Sequence, residues 1–284
     1  MSGGSLRNQT QSSRMDRRPS DNLFQPSSIV APAMSGPRGY LAPIAPRKRV
    51  HIQAVFFDLH ATLAGFRPRF GPPDPERVSR LLRDRGISVP PKAWKDALAQ
   101  VHRIDYPRYG YPDWERYIGR AFEIARARPN ELTFKEVVRE YQRTRWNPLP
   151  FAKEAVRRAK RLGLKTALVT SIARFRFERD LRSILERIDF VVDGNTFHCD
   201  KSGPEIYLRT LQALKVKPGE AVMIGDELEG DVLIPTRIGM RAILIRREKP
   251  PWEESQAIGG QVVARDLRHA MDIVDAWVGK APSA

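Results

Sequence analysis

Four sets of polar residues stand where short apolar runs of this chain end. Asp58 closes the run 52–57 and is followed by His60. Thr170 and Ser171 follow Ala167-Leu168-Val169. Lys201 lies in Cys199-Asp200-Lys201-Ser202-Gly203-Pro204, just ahead of a helical pattern. Asp226 and Asp231 lie in Gly225-Asp226-Glu227-Leu228-Glu229-Gly230-Asp231. Open α/β sheets place their ligands at the carboxyl ends of buried strands. A carboxylate there is costly without a cation or other polar partner. Asp58 is therefore expected to be ion-paired, metal-bound or catalytic, and the other sets offer partners for each role. By residue type alone, Ser171 also suits a helix cap, Asp226 a Gly-Asp turn, and Lys201 an exposed surface.

The elements that would hold these residues follow from periodicity and punctuation. A strand is expected over 52–57. Helical stretches follow at 76–85, 92–102, 114–128 and 134–145, separated by Gly86, Pro107, Gly110, Pro112, Pro129 and Pro148. After Pro150 the alternation is regular. Helices are expected at 151–162, 174–187, 204–214, 231–238 and 267–277, and strands at 166–170, 190–192, 221–224 and 241–245. Gly163 stops the first of these helices and Pro204 opens the third. Strands alternating with helices indicate an α/β fold with a parallel sheet covered on both faces.

The order and spacing of the four sets resemble the haloacid dehalogenase-like (HAD) hydrolase superfamily over roughly residues 50–250. The resemblance implies a Rossmann-like, doubly wound parallel sheet with an inserted helical cap. Residues 49–65 and 149–284 would form the core and residues 66–148 the cap. It further implies that Asp58 is a nucleophile forming an aspartyl-phosphate. Thr170 would hold the transferring phosphoryl group, and Lys201 would neutralise Asp58 and the phosphate. Asp58, Asp226 and the backbone carbonyl of His60 would ligate Mg2+, with Asp231 ligating or orienting the metal and its waters. The activity implied is a Mg2+-dependent phosphatase acting on a small phosphorylated metabolite.

Position 60 departs from that pattern. Phosphatases of the superfamily carry a second Asp two residues after the nucleophile, where this chain has His60. Three readings stay open. The imidazole could serve in acid–base catalysis, better as base than as acid beside a metal ion. The chain could run a different reaction, such as 2-haloacid dehalogenation, which needs no metal. Or activity could be weak, leaving a phosphate- or nucleic-acid-binding protein.

Composition bounds the rest. The 284 residues are 41% hydrophobic and 29% charged, and the formal net charge is +16. No apolar run approaches the roughly 18 residues of a membrane span. Cys199 is the only cysteine, which excludes an intrachain disulfide and cysteine-based zinc sites. A reducing compartment, the cytoplasm, is the expectation. Residues 1–48 read as a disordered basic tail able to attract nucleic acid without specificity. In the cap interval, Arg67 and Arg69 lie where a guanidinium could meet an anionic substrate. Tyr106, Arg108, Tyr109, Tyr111 and Trp114 form an aromatic and basic cluster that suits either substrate contact or the insert's own core.

Overall fold

The computed structural model describes residues 51–247 and 262–278. The tail expected over residues 1–48 lies outside the described residues. Strand β1 (Ala54–Phe57) is fully buried, as an unbroken apolar run is in a parallel sheet covered on both sides. A two-stranded antiparallel ribbon, β2 (Ala64–Phe66) with β3 (Trp146–Pro148), frames a helical insert. The insert contains α1 (Pro75–Arg83), α2 (Pro91–Gln100), a π-turn at Val101–Asp105, α3 (Tyr106–Tyr109), α4 (Trp114–Ile124) and α5 (Glu131–Gln142). Asp74, Asp113 and Asn130 cap α1, α4 and α5, each accepting a backbone N–H at 2.9 Å.

Beyond the ribbon run α6 (Ala152–Arg161), β4 (Lys165–Val169), α7 (Glu178–Leu185), β5 (Phe190–Val192) and α8 (Glu205–Leu214). Then come β6 (Ala221–Gly225), a second π-turn at Leu228–Leu233, α9 (Ile234–Arg237), β7 (Arg241–Ile245), β8 (Val262–Ala264) and α10 (Leu267–Val278). The main sheet has the order β5-β4-β1-β6-β7-β8, all parallel. The chain winds outward from β1 through β4 to β5, then returns to the other side through β6, β7 and β8. This reversal between β1 and β6 opens a crevice at their carboxyl ends. Phe57 pairs with Leu168 and Ile224, so Asp58 emerges level with the ends of β4 and β6.

Alternate β1 side chains serve opposite faces. Val55 and Phe57 pack with Val156, Leu181 and Met271, and Ala54 and Phe56 with Ile206, Leu211 and Met240. The insert has a third apolar cluster around Leu82, Trp94, Ile118, Val137 and Tyr141. Ala173, from the loop after β4, belongs to that cluster as well.

This loop and the one after β5 tie the insert to the sheet. Tyr106 Oη donates to Asp193, the Arg174 N–H donates to the same carboxylate at 2.9 Å, and Asn195 Nδ2 donates to the Pro107 carbonyl at 3.1 Å. Phe175 packs edge-on against Trp114, with ring centroids 5.3 Å apart.

Some elements differ from expectation. The helix expected to reach residue 102 ends at Gln100 and widens into the first π-turn, and the one expected over 231–238 opens as the second. The helix expected from 174 begins with a 3-10 turn, Arg174–Arg176. Strands β2, β3 and β8 are three residues each, too short to show a period in the sequence. No helix among the described residues is long and apolar enough to cross a membrane.

Inside the insert, the Trp94 Nε1–H donates to Tyr141 Oη at 2.8 Å, and both side chains are buried. Tyr141→Phe leaves that indole without its acceptor and is expected to cost about 1–3 kcal/mol. The readout is a lower urea midpoint with an unchanged slope. An unmoved midpoint would show that the bond contributes nothing.

Candidate active site

Asp58 follows β1 directly, its N–H donating to the Ile224 carbonyl at 2.9 Å. This bond continues the ladder to β6 and fixes where the carboxylate points. Asp58 Oδ1 accepts from Lys201 Nζ at 2.5 Å. The same ammonium donates to Asp231 Oδ1 at 2.8 Å. All three side chains are buried, Asp231 completely. Asp231 Oδ2 accepts from the Glu227 N–H at 3.1 Å, so its two oxygens serve the lysine and the loop after β6. Gly225 is required by this approach, since a Cβ there would collide with the Asp231 carboxylate.

Asp226 stands at the cleft with one long hydrogen bond, from Thr62 Oγ1 at 3.5 Å. One oxygen from each of Asp58, Asp226 and Asp231 lies within 4.8 Å of the others. Burial pushes the Asp58 carboxyl up to about 7 against the pull of Lys201, with Asp231 and Asp226 adding to the rise. Asp226 is raised as well, by burial and then by Asp231. Burial alone would lower Lys201, but Asp58 and Asp231 reverse this and hold it well above the ordinary lysine range. Asp58 and Asp231 bond the one ammonium, Glu227 Oε2 lies 3.9 Å from it, and Asp226 stands beside them, so carboxylates outnumber the buried cation. Hard oxygen donors in this number suit Mg2+ or another hard divalent ion, and Asp58, Asp226 and Asp231 are the residues that could hold it.

Thr170 ends β4, is buried, and accepts the Ile172 N–H at 3.2 Å, which leaves its hydroxyl proton free to donate into the cleft. Ser171 does not cap a helix. Its Oγ accepts the Lys201 backbone N–H at 3.1 Å and so fixes the loop that carries the lysine.

His60 lines the same cleft as Asp58 and Asp226, with its ring resting on the ribbon. Its ring tilts on Phe66 with centroids 5.2 Å apart and meets Trp146 edge-on at 5.8 Å. Burial against these rings lowers its pKa, Arg176 and Lys201 lower it further, and Asp226 opposes them. Burial therefore disfavours the protonated imidazole.

Asp58, His60, Thr170, Ser171, Lys201 and Asp226 line a cleft of about 860 Å³, bounded on the insert side by His102, Arg103 and Ile104 from the first π-turn. Burial lowers His102 to about 4, with Arg176 adding to the effect, so it carries no charge there. Neither Arg67 nor Arg69 lines the cleft; Arg67 instead covers the Phe70 ring at 5.4 Å. Tyr106, Tyr111 and Trp114 pack with Tyr117 in the insert's own core, and Tyr109 is exposed. Of that cluster, only Arg108 reaches an adjoining recess.

Two supports have no clear signal in the sequence. Tyr207 Oη donates to the Gly230 carbonyl at 2.6 Å and holds the second π-turn, yet a tyrosine on the inner face of α8 reads only as core. The first π-turn is invisible because its residues continue a helical pattern.

The chain resembles known proteins along most of this framework. A family model for haloacid dehalogenase-like hydrolases matches residues 52–239. The chain is 26% identical over 216 residues to haloacid dehalogenase-like hydrolase domain-containing protein 3 of Xenopus laevis, covering 70% of this chain and 86% of that one. Over 104 residues it is 33% identical to the glyceraldehyde 3-phosphate phosphatase of Methanopyrus kandleri, covering 36% of this chain and 45% of that one. Its fold is similar to that of a 2-haloacid dehalogenase from Pseudomonas syringae pv. Tomato, with a TM-score of 0.57 and 19% identity, covering 80% of this chain and 99% of that one. Since the family model runs from β1 to the turn after α9, the chain belongs to the haloacid dehalogenase-like hydrolases.

Proposed function

We propose that this hydrolase removes phosphate from a small phosphorylated molecule, with Asp58 as nucleophile and Mg2+ as cofactor. The observation that carries the reading is the surplus of carboxylates over the single ammonium where oxygens of Asp58, Asp226 and Asp231 lie within 4.8 Å of one another. A divalent cation balances it, whereas dehalogenation of a 2-haloacid needs no metal. The partial likeness to a glyceraldehyde 3-phosphate phosphatase points the same way.

In this reading, Lys201 pulls the raised Asp58 back toward its ionised form and orients it through Oδ1, leaving Oδ2 to attack. Bond formation from Oδ2 to phosphorus accompanies rupture of the ester P–O bond. Thr170, through its hydroxyl, holds an oxygen of the phosphoryl group in transit. Mg2+, held by Asp58, Asp226 and the backbone carbonyl of His60, with Asp231 orienting them, would neutralise charge on the phosphoryl oxygens. Water then attacks the aspartyl-phosphate, its proton passing to His60, whose lowered pKa suits a base. No carboxylic acid stands at position 60, so the departing oxygen takes its proton from solvent water.

Phosphate release from a panel of phosphomonoesters is expected to require Mg2+. Asp58→Asn is expected to lower it on the order of 10³-fold or more. Metal-independent halide release from 2-chloropropionate, without phosphate release, would overturn the reading.

Mg2+ at about a hundred times its Kd is expected to stabilise the folded chain by about 2.7 kcal/mol. Thermal melting should show that rise in the wild type and a much smaller one in Asp226→Asn. An equal rise in both would remove Asp226 from the metal site.

His60→Asp supplies the missing acid. It is expected to raise kcat for alkyl phosphates by up to about 10²-fold, with a far smaller gain for p-nitrophenyl phosphate, whose leaving group departs unaided. Equal effects on both would show that His60 has no part in leaving-group departure.

A further inference from the structure

We infer that the recess adjoining the catalytic cleft is a second anion subsite, so that the molecule hydrolysed carries another carboxylate or phosphate besides the phosphoryl group removed. The inference rests on the hydrolytic reading above and adds the substrate class to it. The recess measures about 580 Å³ and shares Arg103, Ile104, Asp200 and Ser202 with the cleft as common walls. A ligand seated at Asp58 therefore meets these residues as it extends away from the reacting phosphorus.

Two guanidinium groups, Arg103 and Arg108, face this recess. Neither has an ion-pair partner among the described residues, although Arg108 lies over the Tyr109 ring at 5.4 Å. Arg77, Arg85, Arg120 and Arg143 of the insert are ion-paired, whereas Arg80, Arg83 and Arg116 are not among the described residues; what sets Arg103 and Arg108 apart is their place on the recess beside the cleft. The acids facing the recess are Asp200 and Glu205. Asp200 Oδ1 is taken by the Ser202 N–H at 3.0 Å and by its hydroxyl at 2.5 Å. Glu205 sits in the first turn of α8, where the helix dipole favours a carboxylate. The two guanidiniums are thus left to an outside anion, and their planar forks match carboxylate and phosphate alike.

The backbone that carries Arg103 is held in place. It belongs to the π-turn Val101–Asp105, and π-turns recur where a helix must aim side chains at a site. Asp105, at the end of the turn, is buried and accepts from Arg120 Nε at 3.0 Å. Two residues on, the Pro107 carbonyl accepts from Asn195 Nδ2 at 3.1 Å and meets His198 Nδ1 at 3.0 Å. Tyr106, between them, is bonded to Asp193. The fixed turn spares the backbone's share of the ordering cost when the exposed Arg103 side chain meets its ligand.

The test uses the full chain with Mg2+ and three probes. Glycerol 3-phosphate has a neutral distal end, 3-phosphoglycerate a carboxylate, and fructose 1,6-bisphosphate a second phosphate. The wild type is expected to favour one or both doubly anionic compounds over glycerol 3-phosphate by about tenfold or more in kcat/KM, the scale of one charge-assisted hydrogen bond. Which of the two is favoured identifies the distal group. Arg103→Ala is expected to collapse that preference through KM, Arg108→Ala to weaken it, and Arg103→Lys to retain part of it. No preference in the wild type, or an undiminished preference in Arg103→Ala with Arg108→Ala, overturns the inference. If none of the three compounds and no p-nitrophenyl phosphate is hydrolysed, the hydrolytic reading falls by itself. Calorimetric titration of the same probes then decides the subsite: tighter binding of a doubly anionic probe that is lost in Arg103→Ala sustains it, and equal binding overturns it.

Discussion

The buried Lys201 ammonium is the interaction around which the site is arranged. It bonds Asp58 at 2.5 Å and Asp231 at 2.8 Å, joining the end of β1, the loop before α8 and the turn after β6. A buried charge is tolerated only with close, well-oriented partners, and breaking such a set is costly. Much of the nearby structure serves that geometry. Ser171 holds the lysine's backbone, Tyr207 holds the π-turn beneath Asp231, and Gly225 leaves room for the Asp231 carboxylate. The parallel order β4-β1-β6 then fixes the three strand ends side by side.

Much of this was legible in the sequence, and the reason is local. The runs at β1, β4 and β6 are apolar on both faces, so their ends announce themselves, and the polar residues at those ends are Asp58, Thr170 and Asp226. What was not legible depends on residues distant in sequence. Ser171 bonds a backbone thirty positions away, and nothing near it distinguishes that role from a cap. Asp231 reads as a metal-site residue, and the sequence does not show that its two oxygens also accept from Lys201 and from the Glu227 N–H. The π-turns escape notice because one extra residue in a helical turn leaves hydrophobic spacing almost intact.

Position 60 shows both sides of this at once. That a histidine stands there is plain from the sequence, but its surroundings are not. The ring rests on Phe66 and on Trp146, which comes from the far end of the insert. That packing, more than the neighbouring charges, lowers its pKa. The ribbon that brings Phe66 and Trp146 together, β2 with β3, thus sets the surroundings of His60 as well as framing the insert.

The seam between insert and sheet limits how this chain can change over generations. Tyr106 on the insert and Asp193 on the core share a buried hydrogen bond, and a Cβ on Gly194 would lie 3.2 Å from the Ser171 carbonyl and 3.4 Å from Pro107. A substitution on one side of this seam strands a polar group or opens a clash on the other. The insert is therefore not an interchangeable module that another helical hairpin could replace at the ribbon. Residues 106–107 and 193–195 must drift together, and related chains that keep one set are expected to keep the other.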